Sequence, residues 1–156
     1  MGVEIERKFL VVGEPWRGVP GDEILQAYVA SQAGRVVRLR ARAGQGWLTI
    51  KGPTVGLSRA EFEVPLPVEQ VREMITALGL PGLIHKVRHL VEHAGHTWEI
   101  DVFSGENAGL VVAEIELAAE DEPFERPPWV GEEVTYDGRY ANSALSERPW
   151  RTWGTS

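Results

Sequence analysis

Apolar and polar residues alternate along most of this chain, the period that sends successive side chains to opposite faces of a β-strand. Segments 3–11, 24–30, 36–42, 47–51, 60–66, 84–93, 97–103 and 111–117 all carry it, so about eight strands and a β-rich fold are predicted. One stretch has another period. Val68, Val71, Ile75 and Leu78 recur at helical spacing, with Pro67 ahead and Gly79 behind, which predicts a helix over 68–78. A short second helix is predicted near 140–145, and residues 121–138, with Pro123, Pro127, Pro128, Gly131 and Gly138, read as a long loop. Turns at Ala43-Gly44-Gln45-Gly46 and Ala94-Gly95 predict two hairpins. Opposing Arg42 and Trp47 in the first sets Arg38 across from Lys51 and Arg40 across from Thr49; in the second, Arg88 faces Asp101.

The polar faces of these strands are too uniform for an ordinary solvated surface, which mixes both charge signs. Glu4, Glu6 and Lys8 alternate with Val3, Ile5 and Phe9; Arg38 and Arg40 flank Leu39; Glu61 and Glu63 flank Phe62. Lys86 and Arg88 flank Val87, Asp101 lies between Ile100 and Val102, and Glu114 and Glu116 flank Ile115. Like charges opposed across a hairpin, as Arg38 and Lys51 would be, are destabilising unless water or an anion lies between them. One architecture accommodates every strand: an eight-stranded antiparallel β-barrel of α+β type, with a polar lumen and a few covering helices. Basic rows on one wall suit a phosphate chain, and acidic rows on another suit divalent metal.

Composition narrows the classes further. At 156 residues, one domain spanning 1–156 is expected, and 43% hydrophobic with 25% charged residues is ordinary for a globular chain. A formal charge of −7 argues against nucleic-acid partners, which require a cationic surface. Without cysteine there is no disulfide or zinc–thiolate site. The first twelve residues do not read as a targeting peptide, and no apolar run approaches the roughly 18 residues of a membrane span, so no membrane partner and a cytoplasmic location are expected. His85, His89 and His93 would form a zinc face on a helix, but on a strand they share the outer face of Val87 and Val91. No phosphate-binding glycine loop precedes a helix, and the six tryptophans read as packing and loop anchors.

Six charge motifs in this order resemble the CYTH superfamily, the triphosphate tunnel metalloenzymes. Glu4-Ile-Glu-Arg-Lys8 is similar to its E-x-E-x-K, Arg38-Leu-Arg40 to its R-x-R and Lys51 to its single lysine. Glu61-Phe-Glu63, Lys86-Val-Arg88 and Glu114-Ile-Glu116 resemble its E-x-E, K-x-R and last E-x-E. The likeness runs from residue 3 to about residue 146, and Tyr140-Ala-Asn-Ser-Ala-Leu145 resembles the tail of short bacterial members. It implies an eight-stranded tunnel that hydrolyses a triphosphate with Mg2+ or Mn2+, expected as two ions. Carried over residue by residue, Glu4, Glu6, Asp101, Glu114 and Glu116 would bind metal, with Glu61 and Glu63 joining them or orienting the bases. Lys8, Arg38, Arg40, Lys51, Lys86 and Arg88 would hold phosphate oxygens. Lys8 would accept a proton if its basic neighbours lower its pKa, assisted by Tyr28, or else act only as a clamp. Inorganic tripolyphosphate is the leading substrate, releasing pyrophosphate and phosphate. The alternatives are an organic triphosphate enzyme, either a thiamine triphosphatase or a class IV adenylyl cyclase, and a non-catalytic polyphosphate-binding module. Short members of the superfamily are often dimeric, which makes a homodimer an expectation of the resemblance.

Overall fold

A computed structural model describes residues 2–154. Its strands are β1 (Gly2–Val11), β2 (Gly21–Gln32), β3 (Arg35–Arg42), β4 (Gln45–Lys51), β5 (Ser58–Leu66), β6 (Ile84–His93), β7 (His96–Phe103), β8 (Val111–Glu116) and β9 (Val130–Glu133); its α-helices are α1 (Val68–Ala77) and α2 (Asn142–Glu147). The strands pair antiparallel in the order β5-β4-β3-β2-β6-β7-β8-β1-β9, and β5 also pairs with β1. That last pairing closes an eight-stranded barrel, as the alternating pattern predicts.

The seam of the barrel accounts for the unpredicted ninth strand. Gly2–Ile5 of β1 pair with β5, whose first residue, Ser58, lies opposite Ile5, leaving the rest of that β1 edge open. Phe9 and Val11 then pair with Glu133 and Val130 of β9, satisfying backbone groups that would otherwise be stranded. Four residues among prolines carry no readable alternation, which is why this stretch reads as loop.

Three Ala-Gly pairs, Ala33-Gly34, Ala43-Gly44 and Ala94-Gly95, have positive φ at both residues, the signature of two-residue type I′ hairpin turns. The middle one corrects the predicted register. A two-residue turn opposes Arg42 to Gln45, so Arg38 lies across from Thr49, Arg40 across from Trp47 and Lys51 across from Val36. The opposition of Arg38 to Lys51 therefore does not occur. A slip of two residues preserves the face of every side chain, so the inward row is unchanged. The last turn gives the predicted pairing of Arg88 with Asp101.

Outside the barrel, α1 covers β2 to β4: Val71 and Ile75 pack with Ala27, Leu39 and Ala41. Leu78 caps the helix and is 56% exposed, so it lies outside the apolar stripe expected for it. Gly79 takes the positive φ that ends the helix. Phe9, Trp98 and Ile115 form a second outer cluster, covered by Phe124 and Trp129 from the proline-rich stretch. His85, His89 and His93 lie on this outer side of β6 and line no part of the lumen. Among the described residues no helix is long and apolar enough to cross a membrane.

Candidate active site in the barrel lumen

A cavity of about 210 Å3 occupies the lumen. Every residue expected to bind phosphate lines it, as do Tyr28 and six of the seven acids: Glu4, Glu6, Glu61, Glu63, Glu114 and Glu116. Strand register brings these side chains together. Across the β1–β8 pair, Glu6 faces Glu116 and Lys8 faces Glu114. Lys51 Nζ ion-pairs with Glu4 at 2.7 Å and with Glu61 at 3.5 Å.

The exception is Asp101. Its carboxylate is 1% exposed and accepts from Lys86 Nζ at 2.7 Å and from Arg88 Nε and Nη2 at 2.7 and 2.9 Å. Both oxygens are engaged, so the expectation that Asp101 ligates metal is replaced by an ion triad that holds two bases. Despite burial, these two cations keep its pKa well below the usual carboxylate range.

Arg38 and Arg40 are different. Arg38 is buried, its Nη2 donates to Thr49 Oγ1 at 3.3 Å, and its Nε has no partner. Arg40 Nε donates to Gln26 Oε1 at 2.9 Å. Among the described residues neither guanidinium has a carboxylate partner. Burial, then Arg38 and Arg88 nearby, lower the Arg40 pKa to about 9. Two cations, one buried and one half-buried, two residues apart on one strand and without a carboxylate partner, call for an anion between them and the opposite wall.

Carboxylates at the other wall are over-supplied with each other. Burial, then Glu114 and Glu4, push the Glu6 carboxyl well above its ordinary pKa. Burial, then Glu4 and Glu61, raise Glu116, and Glu61 is raised as well, by burial first and with Glu4 and Glu63 adding to it. This set of hard oxygen donors, repelling one another in a half-buried space, fits Mg2+ or Mn2+. Among the described residues no three acidic or histidine side chains already converge as a closed metal site.

Lys8 departs from the expected direction. Burial alone would lower its pKa, but Glu114, Glu6 and Asp101 more than offset this and raise it. Its Nζ lies 3.6 Å from Glu114 Oε1 and donates to the Tyr140 carbonyl at 3.2 Å. Tyr28 is also shifted up, chiefly by burial, so its hydroxyl stays protonated. Both groups are donors here, and the lowering of the Lys8 pKa by basic neighbours, on which the proton-acceptor expectation rests, is outweighed by Glu114, Glu6 and Asp101.

Four polar lining residues lie outside the charge motifs: Arg59, Glu99, Asn142 and Ser143. Arg59 and Glu99 precede Glu61 and Asp101 by two, so the same alternation could have found them. Glu99 accepts from Arg88 Nη1 at 2.8 Å, and Arg59 is clipped to the Gly52 and Gly34 carbonyls, each at 3.0 Å. Asn142 and Ser143 carry no charge and offered no such signal.

Residues 2–147 match the CYTH domain. The chain belongs to the CYTH family. A relative, the inorganic triphosphatase of Acetivibrio thermocellus, is 42% identical over 154 residues, covering 98% of this chain and 99% of the relative. The inorganic triphosphatase of Nitrosomonas europaea is 37% identical over 147 residues, covering 92% and 96%. The crystal structure of the inorganic triphosphatase NE1496 superposes with a TM-score of 0.68 at 34% identity, covering 92% of this chain and 97% of that one. At 20% identity, the PH1012 protein of Pyrococcus horikoshii shares the fold alone, with a TM-score of 0.56 over 75% of this chain and 80% of its own.

Proposed function

We propose that this CYTH protein is an inorganic triphosphatase, hydrolysing tripolyphosphate to pyrophosphate and orthophosphate with divalent metal. The observation that carries the reading is the pair Arg38, buried, and Arg40, half-buried, both lining the lumen and, among the described residues, without a carboxylate partner. Their planar forks suit phosphate oxygens, and Lys8, Lys51, Lys86 and Arg88 add charge around them. Asp101 holds Lys86 and Arg88 in place, while Tyr28 presents a neutral hydroxyl as a further donor. Mg2+ or Mn2+, expected as two ions, would be held by Glu4, Glu6, Glu114 and Glu116, with Glu61 and Glu63 toward the exposed end. Bound there, metal supplies neutralisation of phosphate oxygens and a more acidic water.

Substrate choice follows from the lining. Among the described residues Tyr28 is the single aromatic side chain on the cavity, and Trp47 does not reach it. A nucleobase or thiamine ring would find little apolar surface, which favours an inorganic chain over an organic triphosphate. A binding module would need the basic wall but not the acidic one. One panel tests all three: phosphate, pyrophosphate and cyclic nucleotide release from tripolyphosphate, ATP and thiamine triphosphate with magnesium. Tripolyphosphate should have much the highest kcat/KM. Comparable values across the panel would overturn the assignment, and no release from any would leave the binding module.

A further inference from the structure

Exposure falls along the lumen. Glu63 and Glu116 lie at an exposed end, whereas the side chains of Lys86 and Asp101 are each 1% exposed. Past these two, the inward positions turn apolar. Ile84, Phe103 and Val112 share the strand faces of Lys86, Asp101 and Glu114, and they pack around Leu145 of α2. The tunnel is thus blind at this end, and Ala141, Asn142 and Ser143 form part of its floor.

Hydrogen-bond chemistry fixes the direction of the Asn142 amide. Arg40 can only donate, and it uses Gln26 Oε1, so Gln26 must offer Nε2 to Asn142 Oδ1, at 3.0 Å. Lys86 Nζ donates to the same oxygen at 3.0 Å. The Asn142 oxygen is therefore fully used, and its Nδ2 has no acceptor among the described residues. A free amide donor beside Lys86, on the floor of a basic pocket, complements an anionic oxygen and would oppose a cation.

We propose that Asn142 is a substrate-binding residue, donating from Nδ2 to the innermost phosphate and, with Ala141 and Ser143, limiting the length of phosphate chain the tunnel accepts. This rests on the triphosphatase reading above. A chain seated on this floor has the basic wall alongside it, and surplus units would extend past that wall toward the exposed end of the lumen.

Asn142→Asp keeps an oxygen for Gln26 and Lys86 while replacing the N–H donor with a negatively charged oxygen, so the lost donor is read from the rise it shares with the uncharged Asn142→Ala. Asn142→Ala removes both and deepens the floor. Steady-state kinetics on tripolyphosphate and linear tetraphosphate, calorimetric titration of tripolyphosphate, and thermal melting are compared with the unaltered protein. Both variants should raise KM and the calorimetric Kd for tripolyphosphate by about tenfold or more, the loss of a hydrogen bond to a charged group, with Asn142→Asp the weaker binder because its charge adds repulsion. Asn142→Ala should raise the tetraphosphate to tripolyphosphate ratio of kcat/KM by about fivefold or more. Either folded variant within twofold of the original KM and Kd overturns the donor role, and an unaltered ratio in Asn142→Ala overturns the length role. If Asn142→Asp does not fold, Asn142→Ala decides both, since unchanged KM and unchanged ratio together sink the proposal. An unaltered protein inert on tripolyphosphate would instead overturn the proposed function, a result distinct from an active enzyme whose variants behave normally.

Discussion

Asp101→Asn should cost the protein about 3 kcal/mol of stability, at the lower end of the range for breaking a buried ion pair. The substitution keeps the volume and one acceptor oxygen but removes the counter-charge that Lys86 and Arg88 share, at a site where Asp101 is 1% exposed. Two features hold the cost down. Arg88 retains Glu99 at 2.8 Å, and Lys86, already brought to about 7 by burial against the opposing pull of Asp101, can release its proton. The sign of the pH dependence follows. A lysine whose folded pKa lies below its unfolded value binds more protons unfolded, so stability rises with pH between the two values. Removing Asp101 extends that window downward from about 7, because the group that raised the Lys86 pKa is gone. The deficit should therefore be larger at pH 5.5 than at pH 8, while Asp101, depressed in the folded state, is ionised in the parent at both. Urea unfolding of both proteins at the two pH values measures this, and a shift of about 6–12 °C in Tm is expected at neutral pH. A deficit below about 1 kcal/mol, or one that grows with pH, would refute the claim that the triad is a buried charge cluster held by Asp101.

Three further outcomes are expected. Glu6→Gln should lower magnesium-dependent turnover at least about a hundredfold, yet leave the Tm of chelator-treated protein equal or higher, because it removes a buried carboxylate repelled by Glu114 and Glu4; a lower Tm, or near-normal rates, would remove Glu6 from the metal wall. Lys8→Arg should keep the shape of the pH–rate profile between pH 6 and 9, since Glu114 and Glu6 hold Lys8 protonated across that span; loss of an alkaline limb on this change would restore Lys8 as a proton acceptor. Gly46→Ala should destabilise by about 1–3 kcal/mol in urea unfolding, because the added methyl would meet Val71 Cγ2 at 2.6 Å and the Leu66 carbonyl at 2.8 Å, wedging α1 from the barrel; unchanged stability would mean that α1 yields freely.

Parity along a strand is the strongest signal in this sequence, and it explains both what could be read from it and what could not. Alternation assigns a side chain to a face whatever the register, so Arg38, Arg40 and Lys51 were correctly sent inward even though the first hairpin pairs two residues away from the expected opposition. Parity also holds for Arg59 and Glu99, which needed only one more step along each row. It cannot say which wall a side chain meets across the lumen. Lys8 was read against its basic fellows, but the β1–β8 register sets it opposite Glu114, and the sign of its pKa shift turned on that neighbour. Asp101 had the right face and charge, and only the closing of β6 on β7 commits its oxygens to Lys86 and Arg88. Asn142 lies outside any strand and carries no charge, so neither parity nor charge could place it. It enters the site because Leu145, three residues on, is drawn into the apolar plug with Ile84, Phe103 and Val112. The hydrophobic burial that stops the tunnel thus also delivers an amide to its floor, beside the lysine that Asp101 holds.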